Sequence, residues 1–550
     1  AFLAFLPVPD DGVYRLEASA GGTRTELQRE VGVPGVEPGA GVGLLPPPPA
    51  QPARTYLLAG SVSPSGAWTV RRGELVTVRF RGSPGGRARL ILPDSTIIPL
   101  VERPADAGVA TGFMEDPSGV STATEYAATF PLRVPLAAAD TAVPQPTLAP
   151  LPLAAGTAVI ELVAGPDTVR APVEANVALL EPGETRVGVA SAEREDGNTI
   201  GVAALPPGTP YHWFFQRGTR LPITGERAGE YLVRLSDELH IWVGAGEVRL
   251  EPPSAAAVEG SVGTVRVVPG ERRVDVRIDT SQRLPYHVTA TGDRITVSIF
   301  GARSRTNWIY QPTSQEVIGR IDWEQASDGE YRLHIHLAEP LWGWLPRWEG
   351  NDLVIAVTRP PALDDDPLDG VTIAVDAGHP PGGAIGPTRL QEAAANLAIA
   401  KRLIPMLQER GARVIETRPT EEAVGLYERE RMAESAGADL FVSIHNNAFG
   451  DGVNPFEHAG TSVLYNRPQS VGLARHLQRE LLAEFGLRDL GVIHADRAVI
   501  RNTSMPSALT ETMFLMIPQQ EAALRDADVQ ERLAEAHVRG IEAFLRERAR

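Results

Sequence analysis

Four side chains in the last third of the chain have the types and settings that metal-assisted hydrolysis requires. His379 closes the apolar run Val375-Asp376-Ala377-Gly378-His379, and His445 closes Phe441-Val442-Ser443-Ile444-His445. Glu392 opens a stretch with helical spacing, and Glu511 sits inside Ala508-Leu509-Thr510-Glu511-Thr512-Met513-Phe514. A carboxylate inside an apolar strand is unfavourable unless it is paired or bound to something. Two histidines and a carboxylate around an open position is the usual make-up of a catalytic zinc site. Zinc bound in this way lowers the pKa of its water to about 7 and polarises a carbonyl. A carboxylate outside the ligand set then serves as general base and general acid. Each residue alone also has a plainer reading. A strand-end histidine is often a structural hydrogen-bonding group, Glu392 would suit a helix start through the dipole, and Glu511 would be an ordinary paired carboxylate. Residue type and spacing leave both readings open.

These residues need a scaffold, and the sequence describes one. From residue 369 to 550 apolar runs alternate with helical periods. GVTIAVDAGH reads as a strand, and Leu397, Ile399, Leu403 and Leu407 share one helix face closed by Gly411. ARVIETR, DLFVSIHNNA, TSVLYN and SALTETMFL read as further strands with helices between them. Such alternation predicts an α/β domain with a mostly parallel sheet and helices on both faces. In such sheets functional groups gather beyond the C-terminal ends of the strands, which is where both histidines fall.

The rest of the chain is different in kind. Residues 1 to about 365 are rich in Pro, Gly, Val and Thr in short alternating runs, which predicts several small all-β modules. Residues 1–54 hold a β segment with runs such as Val13-Tyr14-Arg15-Leu16 and a Pro-rich linker, stiffened by the prolines at 46–49. Residues 55–177 read as a β-sandwich-like module with a Pro/Ala-rich loop near 134–154. Residues 178–252 and 262–360 form two further β units. In the latter, Tyr331, Leu333, Ile335 and Leu337 should face a core, with Arg332, His334 and His336 on the other face. Trp342, Trp344 and Trp348 close this unit as a sugar-stacking surface or as core and interface.

Composition narrows the functions. The 550 residues carry 52 basic and 69 acidic side chains, for a net charge of −17. That balance argues against nucleic acid as a partner. Cysteine is absent, which removes disulfides, thiolate metal sites and a cysteine nucleophile. No run of about 18 apolar residues is present, so no transmembrane helix is expected. The opening AFLAFL is too short for a secretory leader, so a signal peptide is not expected within this chain.

Longer patterns add a resemblance. The last 180 or so residues resemble the zinc-dependent N-acetylmuramoyl-L-alanine amidases of the cell-wall hydrolase type. That family's Asp-Pro-Gly-His is matched by Asp376-Ala377-Gly378-His379, and its Glu ahead of Asn-Leu-Ala by Glu392 and Asn396-Leu397-Ala398. Gly411 to Val414 with Thr417-Arg418, Leu426 with Arg429, and Phe441 to Asn447 follow in order. Pro506, Leu509, Glu511 and Phe514 match the last motif. The departures, Ala377 for Pro and Pro380-Pro381 ahead of Gly382-Gly383, alter loop shape more than ligand chemistry. The resemblance implies Zn²⁺ held by His379, Glu392 and His445, with Glu511 as the catalytic carboxylate. It implies cleavage of the amide between the lactyl group of N-acetylmuramic acid and L-alanine of the peptidoglycan stem peptide. Asn447 and Arg501, in matched motifs, are expected to contact substrate.

Two weaker resemblances concern the β units. Gly225, Tyr231-Leu232-Val233 and Trp242-Val243 are similar to the end of a bacterial Src-homology-3-like module. Residues 262–360 resemble an AMIN domain, a β-rich module that precedes some cell-wall amidases. Together these imply an extracytoplasmic enzyme, in the periplasm, the envelope or outside the cell. Its partners would be peptidoglycan and envelope proteins met by the β modules. The alternatives are a non-catalytic wall-binding scaffold with a degenerate amidase domain, and a different zinc peptidase acting on stem peptides.

Overall fold

The computed structural model describes residues 12–20, 23–31 and 55–549, without residues 72–74, 93–94, 104–123, 132–150, 153–157, 166, 181–185, 193–197, 204–212, 228, 238, 254 and 450–453. The Pro-rich linker and most of the loop near 134–154 lie outside the described residues. Strands Gly12–Ala20 and Thr23–Val31 form an antiparallel hairpin with Gly12 opposite Val31. Residues 1–54 are one body and residues 55–550 another.

The second body begins with β structure. Six strands between Leu75 and Pro172 make one antiparallel sheet. A larger sheet is built from both neighbouring stretches. Gly66–Arg71 pairs in parallel with Ala175–Leu180 and antiparallel with Arg220–Arg227. The boundary expected between 177 and 178 therefore falls inside a continuous sheet. Trp68 meets Trp242 edge to face at 5.3 Å beneath it. Residues 260–358 form two further sheets around one apolar core. The period-two alternation sets their faces. Tyr331, Leu333 and Ile335 are fully buried, and Leu337 is half-buried. His336 Nε2 on the other face lies 2.9 Å from Asp322 Oδ2 on the next strand.

The C-terminal part is the α/β domain. Its strands are β1 (Thr372–Ala377), β2 (Arg413–Glu416), β3 (Leu440–Asn447), β4 (Thr461–Tyr465), β5 (Asp489–His494) and β6 (Ser507–Phe514). They lie in the order β2-β1-β3-β6-β4-β5, parallel throughout except at β4–β6. β1 and β6 are buried along their whole length, which is why they read as continuous apolar runs. The main helices are α1 (Glu392–Gln408), α2 (Leu426–Ser435), α3 (Val471–Phe485), α4 (Pro518–Arg525) and α5 (Ala527–Arg548). On one face Leu403 and Leu407 of α1, Leu473 and Leu477 of α3, and Ile541 and Phe544 of α5 share a core. On the other, Ala433 of α2 packs with Phe441, Leu509 and the 3-10 turn Ala498–Ile500. Val442 and Phe441 of β3 point to these opposite cores, as strand alternation requires.

The β unit at 260–358 and this α/β domain share a packed joint. Trp342 and Trp344 are 1% and 2% exposed, so core and interface is the outcome for both. Trp342 packs against Phe544 with the rings tilted and centroids 5.8 Å apart, and donates its Nε1–H to Asp439 O at 3.0 Å. Trp344 N donates to Thr503 O at 2.7 Å, and Thr358 Oγ1 to Ser504 O at 2.9 Å. Gly343 permits the approach, because a Cβ there would lie 2.2 Å from Ser504 O. Trp348 is half-buried and bonds Thr219 Oγ1 at 2.9 Å.

Two stability predictions follow from this packing. Trp342→Ala should remove about 3–5 kcal/mol of unfolding free energy, the range for emptying a buried large aromatic site; an unchanged denaturant midpoint would refute the joint. His537 of α5 is fully buried, with Nδ1 2.7 Å from Leu533 O and Nε2 3.0 Å from Thr510 Oγ1. Burial pushes its imidazole down to about 4. Between about pH 6.5 and that value the unfolded chain binds a proton the folded chain does not, so stability falls as pH falls. Over that window the loss should reach about 3 kcal/mol. Chemical denaturation of the parent and His537→Leu at both ends of the window would reveal it as a slope present in the parent and missing from the variant.

Candidate metal centre

β1 and β3 are parallel neighbours, with Ala377 in register with Ile444. Their C-terminal ends therefore bring His379 and His445 to the same edge of the sheet. The turn that carries His379 is held tightly. His379 has a φ of +58°, a left-handed conformation that is strained for a side chain of this kind. Two buried arginines hold the carbonyls on either side. Arg429 Nη1 donates to Ala377 O at 2.8 Å and Nη2 to Pro380 O at 2.6 Å. Arg418 Nε donates to Ala377 O at 2.8 Å, and its Nη2 to Ala393 O at 2.7 Å in α1. Burial, with the charge of Arg429 next in weight, pushes the Arg418 guanidinium down to about 10. The counter-charge is Asp376. It is fully buried, pairs with Arg429 Nη1 at 2.9 Å, and accepts hydroxyl bonds from Ser443 at 2.5 Å and from Thr417.

Glu392 reaches the same point from the first residue of α1. Its Oε1 lies 3.1 Å from His445 Nδ1 and its Oε2 3.4 Å from His379 Nε2. The two imidazoles meet edge to face with centroids 4.8 Å apart. One ligand atom from each of the three residues lies within 4.8 Å of the others, and among the described residues this is the one such group. Burial disfavours charge on Glu392, but the His445 hydrogen bond and the nearby imidazoles outweigh it, and its pKa falls. Burial holds His379 down. Two nitrogen donors and an ionised carboxylate, aimed at one point and desolvated, are the donor set that zinc prefers. The residues present fit the metal.

Glu511 supplies the fourth group. It stands opposite His445 in the β3–β6 register, and its Oε2 is buried with no hydrogen-bond partner among the described residues. Burial pushes its carboxyl up to about 8; His445 and Arg497 act against that shift, and Glu392 adds to it.

The C-terminal domain also matches known proteins. Residues 373–543 match the description of the N-acetylmuramoyl-L-alanine amidase family. The chain is 30% identical over 202 residues to the germination-specific N-acetylmuramoyl-L-alanine amidase of Bacillus subtilis, covering 33% of this chain and 83% of that protein. The chain belongs to this amidase family. It is also 36% identical over 183 residues to the amidase LytC of Bacillus subtilis, where the match spans 33% of this chain and 37% of LytC. The catalytic domain of CwlV from Bacillus (Paenibacillus) polymyxa is 33% identical, with 32% of this chain and 98% of that chain covered and a TM-score of 0.30. The family is one of zinc enzymes, and His379, Glu392 and His445 are its metal-binding cluster in this chain.

The remaining polar residues of this region have partners of their own. Asn447 ends β3, and its Oδ1 accepts from Ala448 N at 2.7 Å. Arg501 pairs with Asp496, and its guanidinium lies 6.0 Å from the Phe214 ring, toward the β units. His494 Nε2 lies 3.0 Å from Asn466 O, and His458 sits edge-on to Phe449 at 6.5 Å.

Other residues of the amidase domain have roles that the sequence left unassigned. Asn396 is one helical turn beyond Glu392 and donates to Gly378 O at 3.1 Å and to Glu392 Oε1 at 3.3 Å. Its Oδ1 accepts from Asn446, whose own Oδ1 accepts from Thr512 at 2.6 Å. A buried asparagine on an otherwise apolar helix face was the available signal. Gly378 is equally constrained, since a Cβ there would lie 2.2 Å from His445 Nε2. Gly378→Ala should therefore displace His445 and weaken zinc binding by about tenfold or more. Chelator competition on a variant with an unchanged far-ultraviolet spectrum would measure this, and parental zinc affinity would refute it.

Proposed function

We propose that this chain hydrolyses the amide between the lactyl group of N-acetylmuramic acid and L-alanine of peptidoglycan stem peptides. The observation that carries the reading is the His379–Glu392–His445 cluster with Glu511 one strand away, in a domain of the amidase family. His379, Glu392 and His445 would hold zinc. When bound, zinc polarises the scissile carbonyl and makes water a ready nucleophile at neutral pH.

Amide hydrolysis needs a proton removed from the attacking water and another placed on the departing nitrogen, because an amine anion is too poor a leaving group. Glu511 serves both steps. In its ionised form the buried carboxylate has a free oxygen to receive the water's proton, and burial then favours its holding that proton. The same carboxyl then releases the proton to the nitrogen of L-alanine. Arg497 offsets part of the negative charge nearby. Asn396 and Asn446 keep Glu392 aligned, and Arg429 and Arg418 keep the His379 turn in place. The β units at 178–252 and 262–360 are read as Src-homology-3-like and AMIN-like modules that bring the enzyme to the wall or to envelope partners, outside the cytoplasm. Among the described residues no helix is long and apolar enough to cross a membrane.

Mass spectrometry of soluble products from purified peptidoglycan tests the reading. The zinc-loaded parent should release intact stem peptides that begin at L-alanine. Glu511→Gln should slow release by about 10²–10⁴-fold, and chelation should stop it until zinc is restored. A new carboxylate inside the stem peptide would indicate a different zinc peptidase. Absence of release by the parent would favour the scaffold.

A further inference from the structure

A cavity of about 300 Å³ lies where the β units meet the amidase domain, and none of His379, Glu392, His445 or Glu511 lines it. Phe214, Tyr286 and Trp344 wall it from the β side, and Tyr427 of α2 from the other. Its charges are arginines 431, 467 and 501 against glutamates 430 and 434. Arg501 is committed to Asp496. Arg467 is not. Its Nε donates to Arg501 O at 3.0 Å, while its two terminal nitrogens donate to none of the described residues. Burial holds this guanidinium below the usual arginine range, against the pull of Glu430 and Asp496. Burial also pushes the Glu434 carboxyl up, against the pull of Arg273.

An arginine fork within an aromatic-walled cavity suits a planar monoanion, to which it gives two parallel bonds. The two glutamates disfavour a dianion such as phosphate. The volume is at the lower end of the range for small-molecule sites, enough for about one sugar residue. The reaction proposed above leaves such a group. Water adds across the lactyl amide, the nitrogen departs with L-alanine, and the sugar keeps a free lactyl carboxylate.

We propose that this cavity is a second ligand site, which takes the freed carboxylate of N-acetylmuramic acid through the fork of Arg467. The choice of ligand rests on the proposed function; the site itself rests on the cavity. It would hold glycan already stripped of its peptides against the joint between the β units and the amidase domain.

Calorimetry on the full chain carrying Glu511→Gln tests this without turnover, so a failed digest and a failed site are separate results. N-acetylmuramic acid should bind saturably, and N-acetylglucosamine, which lacks the lactyl carboxylate, should not. Adding Arg467→Gln should weaken binding by about tenfold or more, with Arg467→Lys retaining part of it. Val288→Phe, which fills the cavity without changing a charge, should also abolish binding and guards against misfolding of the arginine variants. No binding of N-acetylmuramic acid would overturn the proposal. So would binding that survives both Arg467→Gln and Val288→Phe, or binding of inorganic phosphate or L-alanyl-D-glutamate in its place.

Discussion

Everything at the active edge hangs on the ion pair between Asp376 and Arg429, neither of which has appreciable contact with solvent. Such a pair is unfavourable to bury unless every remaining donor and acceptor is met. Here they are met by groups from different parts of the fold. Ser443 comes from β3, Thr417 from the end of β2, and Arg429 from α2, while Asp376 itself belongs to β1. Arg429 also spends bonds on the carbonyls of Ala377, Pro380 and Val424. The pair thus joins three strands and a helix to the turn that carries His379. Through those carbonyl bonds it braces the turn in which His379 takes a φ of +58°.

The cluster above this pair shows how one environment gives several carboxylates different characters. Asp376 is surrounded by donors and a guanidinium. Glu392 is surrounded by imidazoles and amides, which hold its pKa down in spite of burial. Glu511 is buried too but has far fewer donors, and its pKa rises. Burial alone raises all carboxylates; the number of donors aimed at each decides which way its pKa moves. This separation is the pattern expected where acid, base and metal-binding groups work side by side.

Much of this was legible in the chain. His379 and His445 could be placed together because parallel strands in an α/β sheet end on one side, and both fall at the ends of apolar runs. Glu392 and Glu511 stood out as charges where apolar residues were due. The alternation at Tyr331–Leu337 gave the buried face of its strand because one face met a core. Other features were beyond reach. The roles of Asp376, Arg429 and Asn396 depend on partners that are distant in sequence, and a motif match names such residues without saying what they touch. Arg501 sat in a matched motif, but spacing does not tell which way a loop arginine points, and Asp496 with Phe214 draws it toward the β units. The sheet that crosses residue 177 was hidden because Gly66–Arg71 pairs with strands more than a hundred residues later. Spacing alone leaves the tryptophans at 342 and 344 free to face either way; Phe544 and the Thr503 carbonyl, distant in sequence, fix them.

The joint at Gly343 and Ser504 sets the reach of the catalytic edge. Backbone meets backbone there, with no room for a side chain between the β unit at 260–358 and the amidase domain. Ser504 lies just before β6, the strand that carries Glu511. A hydrolase on a loose tether sweeps a radius and meets many bonds around one anchor. This one is mounted like a blade on a fixed handle. Were the adjoining β unit to hold a surface, as proposed above, cutting would fall at one set offset and angle from it, and the pattern of cleavage would follow the lattice of the substrate.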